Sequence, residues 1–292
     1  MASATGEATR GGRPGRAVLE WLVLLASIAA AWSWLWYSTQ FIPVETPDLA
    51  ARTALFYLLV FGPILAVGIL CGLALGQAVL RIGQRPVLWL LLGLTAGIAG
   101  IGATVGFASL AGAVVVPARV GEVHVSGLVG LGVGLALFGV IAEEVMFRGW
   151  LQPVLIDRMG VPGAVVLSAV VFAAFHAVIA TWNPISLANM LLGGLLFGLL
   201  ALRSGGLLAP IAAHFAYNAI EDNVLGLVPD GLGGILGSFV HLDLVGTPLW
   251  GGGPDGLNAS VGTSAILVAL CLPLLLRTGS ANLPTATQPA AA

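Results

Sequence analysis

The stretch GVIAEEVMFRGW, residues 139–150, places two adjacent glutamates and an arginine at the end of an apolar run. A charge at the centre of a bilayer costs about 2.5–3.5 kcal/mol on insertion scales, so such residues usually face a bundle interior and mark function. Glu144 and Arg148 are four residues apart and can pair on one helix face. Glu143 would then be left for chemistry. Alternatively, the span ends earlier and these charges lie at the membrane interface.

Two histidines lie in later apolar segments. FAAFH ends at His176, and HFAYN places His214 and Asn218 four residues apart on one helix face. A single histidine in an apolar helix is usually a hydrogen-bonded core residue, but buried imidazole and amide groups need partners. Gathering Glu143, Glu144, both histidines and Asn218 around one water-filled cavity satisfies all of them.

Two chemistries suit such a cavity, and both hydrolyse a peptide bond. Glu143, His176 and His214 match in number the ligands of a hydrolytic Zn²⁺ site, in which the metal activates a water. Alternatively, a glutamate acts as general base on a water held jointly with a histidine, while the second histidine and Asn218 stabilise the oxyanion. The H-E-x-x-H spacing of many zinc proteases is missing. The residues leave both chemistries open.

The composition places these residues in a membrane. Of 292 residues, 58% are hydrophobic and 8% are charged, against about 25% charged in a soluble domain. We therefore predict an all-α, polytopic transmembrane helix bundle. The net charge of −2 argues against a nucleic-acid partner. All eleven basic residues are arginine, which together with abundant alanine and glycine indicates a bacterial source. Cys71 and Cys271 lie in apolar runs and are interpreted as unpaired core residues.

Eight spans are predicted, with seven as the alternative count. They cover 17–41, 54–80, 87–111, 127–148, 161–180, 187–202, 206–220 and 262–276. The predicted organisation is a cytoplasmic tail (1–16), N-terminal helices (17–120), a catalytic core (121–221), a glycine-rich outer segment (222–261), and a last span with a disordered tail (262–292).

Arginine placement predicts the orientation. On the predicted topology only Arg52 and Arg119 lie outside, so the positive-inside rule favours both termini in the cytoplasm of a plasma-membrane protein. Arg148 is expected at the inner end of the fourth span, and the cavity is expected to open towards the cytoplasmic half. The aromatic run WSWLWY, residues 32–37, is expected to form an interfacial belt.

Three motifs resemble those of one protein family. EEVMFRG is similar to the Glu-Glu-x-x-x-Arg motif of the CPBP family, which includes type II CAAX prenyl endopeptidases and bacterial proteins linked to bacteriocin processing and immunity. FAAFH and HFAYN resemble its Phe-x-x-x-His and His-x-x-x-Asn motifs, in the same order, over about 125–221. Glycines 193, 194 and 198 fall in the apolar helix between the last two motifs, as is common in the family.

The resemblance implies a role for each motif residue. Glu143 would activate the attacking water, and Glu144 would support the site with Arg148 orienting it. His176 would bind the water or a metal. His214 and Asn218 would complete the site as a ligand and an oxyanion donor.

The predicted function is intramembrane endoproteolysis of a membrane-associated peptide or protein, with the lipid bilayer as the other partner. One alternative is a non-catalytic immunity or scaffold protein with the same fold. The other is a proton-coupled transporter, which predicts charges spread along a pathway and inverted repeats, and neither pattern is present in the sequence.

Overall fold

Long apolar helices form most of the chain, as the composition predicts. The structure is a computed structural model that describes residues 14–41, 48–116, 128–178, 183–227, 236–253 and 256–276. Among these residues, five helical stretches are long and apolar enough to cross a membrane. The prediction of an all-α membrane helix bundle is confirmed, and the protein is a multi-pass membrane protein. Of the predicted tail 1–16, residues 1–13 lie outside the described residues, as does 277–292, and residues 14–16 belong to the first helix.

Each predicted span overlaps one helix. The helices are α1 (Pro14–Ser38), α2 (Leu49–Ala74), α3 (Pro86–Leu110), α4 (Val129–Glu144), α5 (Gln152–His176), α6 (Pro184–Ser204), α7 (Leu208–Ala219) and α8 (Val261–Leu276). Two short strands, β1 (Val114–Val115) and β2 (Asp243–Leu244), pair antiparallel and tie part of the glycine-rich segment to the end of α3.

The predicted end of the fourth span at residue 148 is wrong. Helical backbone continues from α4 through a π-helical segment, Val145–Leu151, and on into α5. The break falls at Gly160, whose φ of 77° is in the left-handed region that favours glycine. Arg148 therefore lies within a helix, and Glu143 lies roughly 25 Å of helix before Gly160. The glutamates therefore do not end the span, and the half of the membrane towards which the cavity opens stays a prediction.

Glycines allow the helices around the site to approach closely. α3 packs along α7, and α5 along α6. A Cβ atom added to Gly93 or Gly97 of α3 would collide with the carbonyl oxygens of Ala209 and Ala213 on α7. On α6, a Cβ atom at Gly194 would lie 3.0 Å from the Cα atom of Ala169. Small residues at these contacts are typical of membrane helix packing.

Several helix ends that carry arginine meet at one end of the bundle. Arg158, near the end of the long helical run, forms an ion pair with Glu20 of α1. The Leu207 N–H donates to the Arg81 carbonyl, and the Gln84 N–H donates to the Ser204 carbonyl. The loop after α2 is thereby fixed to the α6–α7 turn. The orientation of this end in the membrane stays a prediction.

Candidate active site

A buried ion pair joins α4 to the π-helical segment. Arg148 Nη1 lies 3.0 Å from Glu144 Oε1, and both side chains are fully shielded from solvent. The π geometry is visible where the Gln152 N–H donates to the Phe147 carbonyl, five residues earlier. Such segments are often found at functional sites. Both charges are enclosed by protein, and their depth in the membrane stays a prediction.

Arg148 is held by more than its carboxylate partner. Its Nη2 donates to the Gly194 carbonyl of α6 at 3.0 Å. The guanidinium carbon lies 4.6 Å from the ring centroid of Phe172, 5.5 Å from that of Phe197 and 5.6 Å from that of Phe147. Aromatic faces attract a desolvated cation. This role of the three rings could not be predicted from the sequence, because a phenylalanine in an apolar helix gives no signal of what it contacts.

His214 is oriented by Glu144. The Nδ1 atom of His214 lies 2.9 Å from Glu144 Oε1, the oxygen that also accepts from Arg148. A carboxylate ionised beside an arginine can only accept, so Nδ1 carries the imidazole proton. In the neutral imidazole the other nitrogen, Nε2, carries the lone pair, and it faces Glu143 Oε2 at 3.6 Å. Phe197 stacks on the imidazole, with centroids 4.5 Å apart and planes 16° apart.

His176 approaches Glu143 from α5. Its Nδ1 lies 3.0 Å from the Phe172 carbonyl oxygen, which can only accept, so this nitrogen also carries the proton. Its Nε2 lies 3.8 Å from Glu143 Oε1. The carboxylate of Glu143 thus lies between two imidazole nitrogens, one near each oxygen. Both separations exceed a hydrogen bond, and a donor between the acceptors, such as water, would satisfy them.

A small chamber adjoins these groups. It is about 10 Å³ in volume, which is about the space one water needs. Glu143 and His176 supply its polar lining, and the other walls are Leu35, Phe61, Ile64, Phe147 and Phe175. Leu35 belongs to α1, and Phe61 and Ile64 to α2. The contribution of α1 and α2 could not be predicted from the sequence, because apolar residues of a span look the same whether they face lipid or a chamber.

Asn218 is the predicted site residue that stands apart. It lies one turn after His214 on α7 and is half-buried. It forms no hydrogen bond with the other five predicted site residues, all of which are described. The structure therefore brings together Glu143, Glu144, Arg148, His176 and His214, with Asn218 on the neighbouring turn.

The side-chain types of Glu143, His176 and His214 suit a zinc ion, but their relative positions suit it less well. Fixed Nδ1 protons and free Nε2 atoms are what zinc-bound histidines show. However, Glu143 directs a different oxygen to each histidine, at distances longer than the roughly 3.3 Å between neighbouring ligands of a tetrahedral zinc. Within the described part of the chain, no group of three His, Cys, Asp or Glu side chains is arranged to hold a metal ion. The zinc site stays a prediction, and no step below depends on it.

A buried Glu144–Arg148 ion pair, two imidazoles facing Glu143 and a chamber for one water together suit hydrolysis inside a membrane protein. Residues 125–220, roughly a third of the chain, match the family model described as Rce1-like, type II CAAX prenyl endopeptidase. The match contains the six predicted site residues and confirms the resemblance of this region to CPBP family intramembrane proteases. A search of curated proteins found no significant match.

Proposed function

We propose that the protein is an intramembrane endopeptidase in which Glu143 activates a water for attack on a peptide carbonyl. The observation that carries this proposal is the position of the Glu143 carboxylate between the Nε2 atoms of His176 and His214, at 3.8 Å and 3.6 Å, beside a chamber for one water. A carboxylate and two neutral imidazoles can accept both hydrogens of such a water. This orients one of its lone pairs towards a bound carbonyl carbon.

In this reaction each residue has one task. Glu143 takes a proton from the water as the water oxygen bonds to the carbonyl carbon. It then donates this proton to the leaving nitrogen when the C–N bond breaks. His176 holds the water. Glu144 and Arg148 keep the proton of His214 on Nδ1, and Asn218, on the next turn of α7, is suited to donate to the oxyanion once substrate is bound.

We further propose that the substrate reaches this site from the side, through the lipid-facing surface. A groove of about 570 Å³ lies between α1, α5 and α6, and it is lined by Trp32, Trp36, Ala173, Ala174, Ala177, Val178 and Leu187. Trp32 also packs edge-on against Phe175, a wall of the chamber, with ring centroids 5.7 Å apart. An all-apolar lining next to the chamber suits a peptide with an apolar or lipid-modified segment. The family description names CAAX prenyl substrates, which we include among the candidates.

The test is cleavage by the purified chain in liposomes. Membrane-inserted peptides, including a prenylated CAAX set, are offered as a library, and products are identified by mass spectrometry. Glu143→Gln should lower the rate by about 10²–10⁴, because an amide cannot serve as general base. Glu221→Gln is the matched control, since Glu221 is also a buried glutamate of α7's π-helical continuation but does not line the chamber. Equal rates in wild type and Glu143→Gln would overturn the proposal.

The non-catalytic alternative makes a distinct prediction in the same experiment. A scaffold or immunity protein would leave every peptide intact in wild type and variants alike. A proton-coupled transporter would carry ions or protons across the liposome membrane without cleaving peptides.

A further inference from the structure

A second polar contact, one turn beyond Arg148, also attaches the site to α6. Gln152 is 2% exposed, and its Nε2 donates to the Gly198 carbonyl at 3.0 Å. Arg148 Nη2 donates to the Gly194 carbonyl at the same distance. Two donors four residues apart on one helix thus bind two carbonyls four residues apart on its neighbour. These two hydrogen bonds fix both the position of α6 along its axis and its rotation relative to the site.

The residue held by this double attachment is Phe197. It lies between the two bound carbonyls in the chain, and its ring stacks on His214 at 4.5 Å. A rotation or slide of α6 would move this ring and release the face of the imidazole. The other contact that orients His214 is the Glu144 carboxylate at Nδ1. Stacking fixes the ring plane, and the carboxylate fixes which nitrogen faces Glu143.

The two glycines make the attachment possible. A Cβ atom at Gly198 would lie 2.7 Å from Gln152 Oε1, and one at Gly194 would lie 3.0 Å from the Cα atom of Ala169. Real Cβ atoms essentially never approach another atom as closely as the first distance, so a side chain at 198 would displace Gln152. The glycine at 198 leaves room for the Gln152 amide, and the glycine at 194 lets α6 lie close against Ala169 of α5.

Gln152 also extends the polar column that begins at Glu144. Three buried atoms on successive turns, Glu144 Oε2, Arg148 Nε and Gln152 Oε1, lack a hydrogen-bond partner among the described residues. They comprise one donor and two acceptors, a set that bridging water satisfies. Glu144, Arg148 and Gln152 therefore form one column of polar side chains along this helix.

We propose that Gln152 is a further positioning residue of the active site. It holds α6 so that Phe197 keeps the His214 imidazole in the plane that turns Nε2 towards Glu143. This inference rests on the proposed function for its catalytic consequence, but the geometric part stands by itself.

The first experiment tests the orientation of the His214 ring and needs no cleavage assay. The chain has four histidines, so selective ¹⁵N,¹³C-histidine labelling gives a small set of NMR signals, and substitution of each histidine assigns them. In the wild type, the ring protons of His214 should be shifted upfield by the stacked Phe197 ring. Gln152→Met, which keeps the length of the side chain but cannot donate, should lose much of that shift. An unchanged His214 spectrum would overturn the proposal.

Asn189→Leu is the matched control. Asn189, on α6, is also a buried polar residue, at 1% exposure, and its Nδ2 donates to the carbonyls of Asn258 and Ser260. If Gln152 contributed only general stability, both variants should lower the melting temperature and leave the His214 signals at their wild-type positions. If it is a positioning residue, only Gln152→Met moves them. Signals that moved equally in both variants would contradict the proposal.

The second experiment measures catalysis on a peptide that the wild type cleaves. Gln152→Met should lower kcat about tenfold, as expected for loss of one buried hydrogen bond, with KM nearly unchanged. An unchanged kcat together with a moved His214 signal would refute the catalytic consequence and leave the geometry intact. If the wild type cleaves no peptide, the proposed function fails, and the NMR result still decides the role of Gln152 in orienting His214.

Discussion

The pair Glu144–Arg148 allows the energetics of the site to be tested independently of its chemistry. Both side chains are fully buried and lie 3.0 Å apart. In Arg148→Met, the Glu144 carboxylate keeps the Nδ1–H donor of His214 and loses its only charged partner among the described residues. Removing one member of a buried pair typically costs about 3–5 kcal/mol, because the remaining charge is left uncompensated. We expect this loss in the free energy of unfolding for Arg148→Met, and a similar loss for Glu144→Gln.

The double variant separates this reasoning from simple loss of packing. Glu144→Gln with Arg148→Met leaves no unpaired charge, and the glutamine carbonyl can still accept from His214. Its stability loss should therefore be about 2–3 kcal/mol smaller than the sum of the two single losses. The assay is reversible denaturation of the four proteins in the same detergent. Losses that add within about 0.5 kcal/mol would show that the two charges are not coupled, and would refute the buried ion pair as described.

Three further outcomes are expected. Gly194→Ala should destabilise the protein by about 1–3 kcal/mol, because its methyl would lie 3.0 Å from the Cα atom of Ala169. Gly193→Ala, whose methyl would have its nearest atom at 3.9 Å, should not. Similar melting temperatures for the two variants would contradict this packing. Ala177→Trp should fill the groove and slow cleavage of membrane-inserted peptides about tenfold or more without lowering the melting temperature, and unchanged cleavage would exclude this route. Treatment with a strong chelator should leave cleavage unchanged where Glu143 activates the water without a metal, as proposed above. Activity lost on chelation and restored by Zn²⁺ would instead establish the predicted zinc site.

Local pairing could be predicted from the sequence because helix geometry alone brings i and i+4 side chains together. This rule gave the Glu144–Arg148 contact and placed His214 and Asn218 on one face. The convergence of three distant helices was inferred from the need of buried polar groups for partners. The structure meets that expectation for Glu143, Glu144, His176 and His214.

Features that depend on backbone details could not be predicted. The sequence VMFRGWL has no residue pattern that distinguishes a π-helical segment from an α-helix, so the span appeared to end at its charges. The carbonyls of Gly194 and Gly198 act as acceptors, and no side-chain type reports this. The glycines themselves were noted, but their partners, Arg148 and Gln152, depend on how α6 lies against the preceding helix.

The size of the chamber has a consequence for turnover. A space of about 10 Å³ has no room for a peptide bond, and apolar residues of α1 and α2 close it on the sides away from Glu143 and His176. In the described conformation this chamber does not admit a peptide. On the function proposed above, cleavage would need α1 and α2 to separate from the rest of the bundle, and the membrane segments able to force them apart would be the ones cleaved.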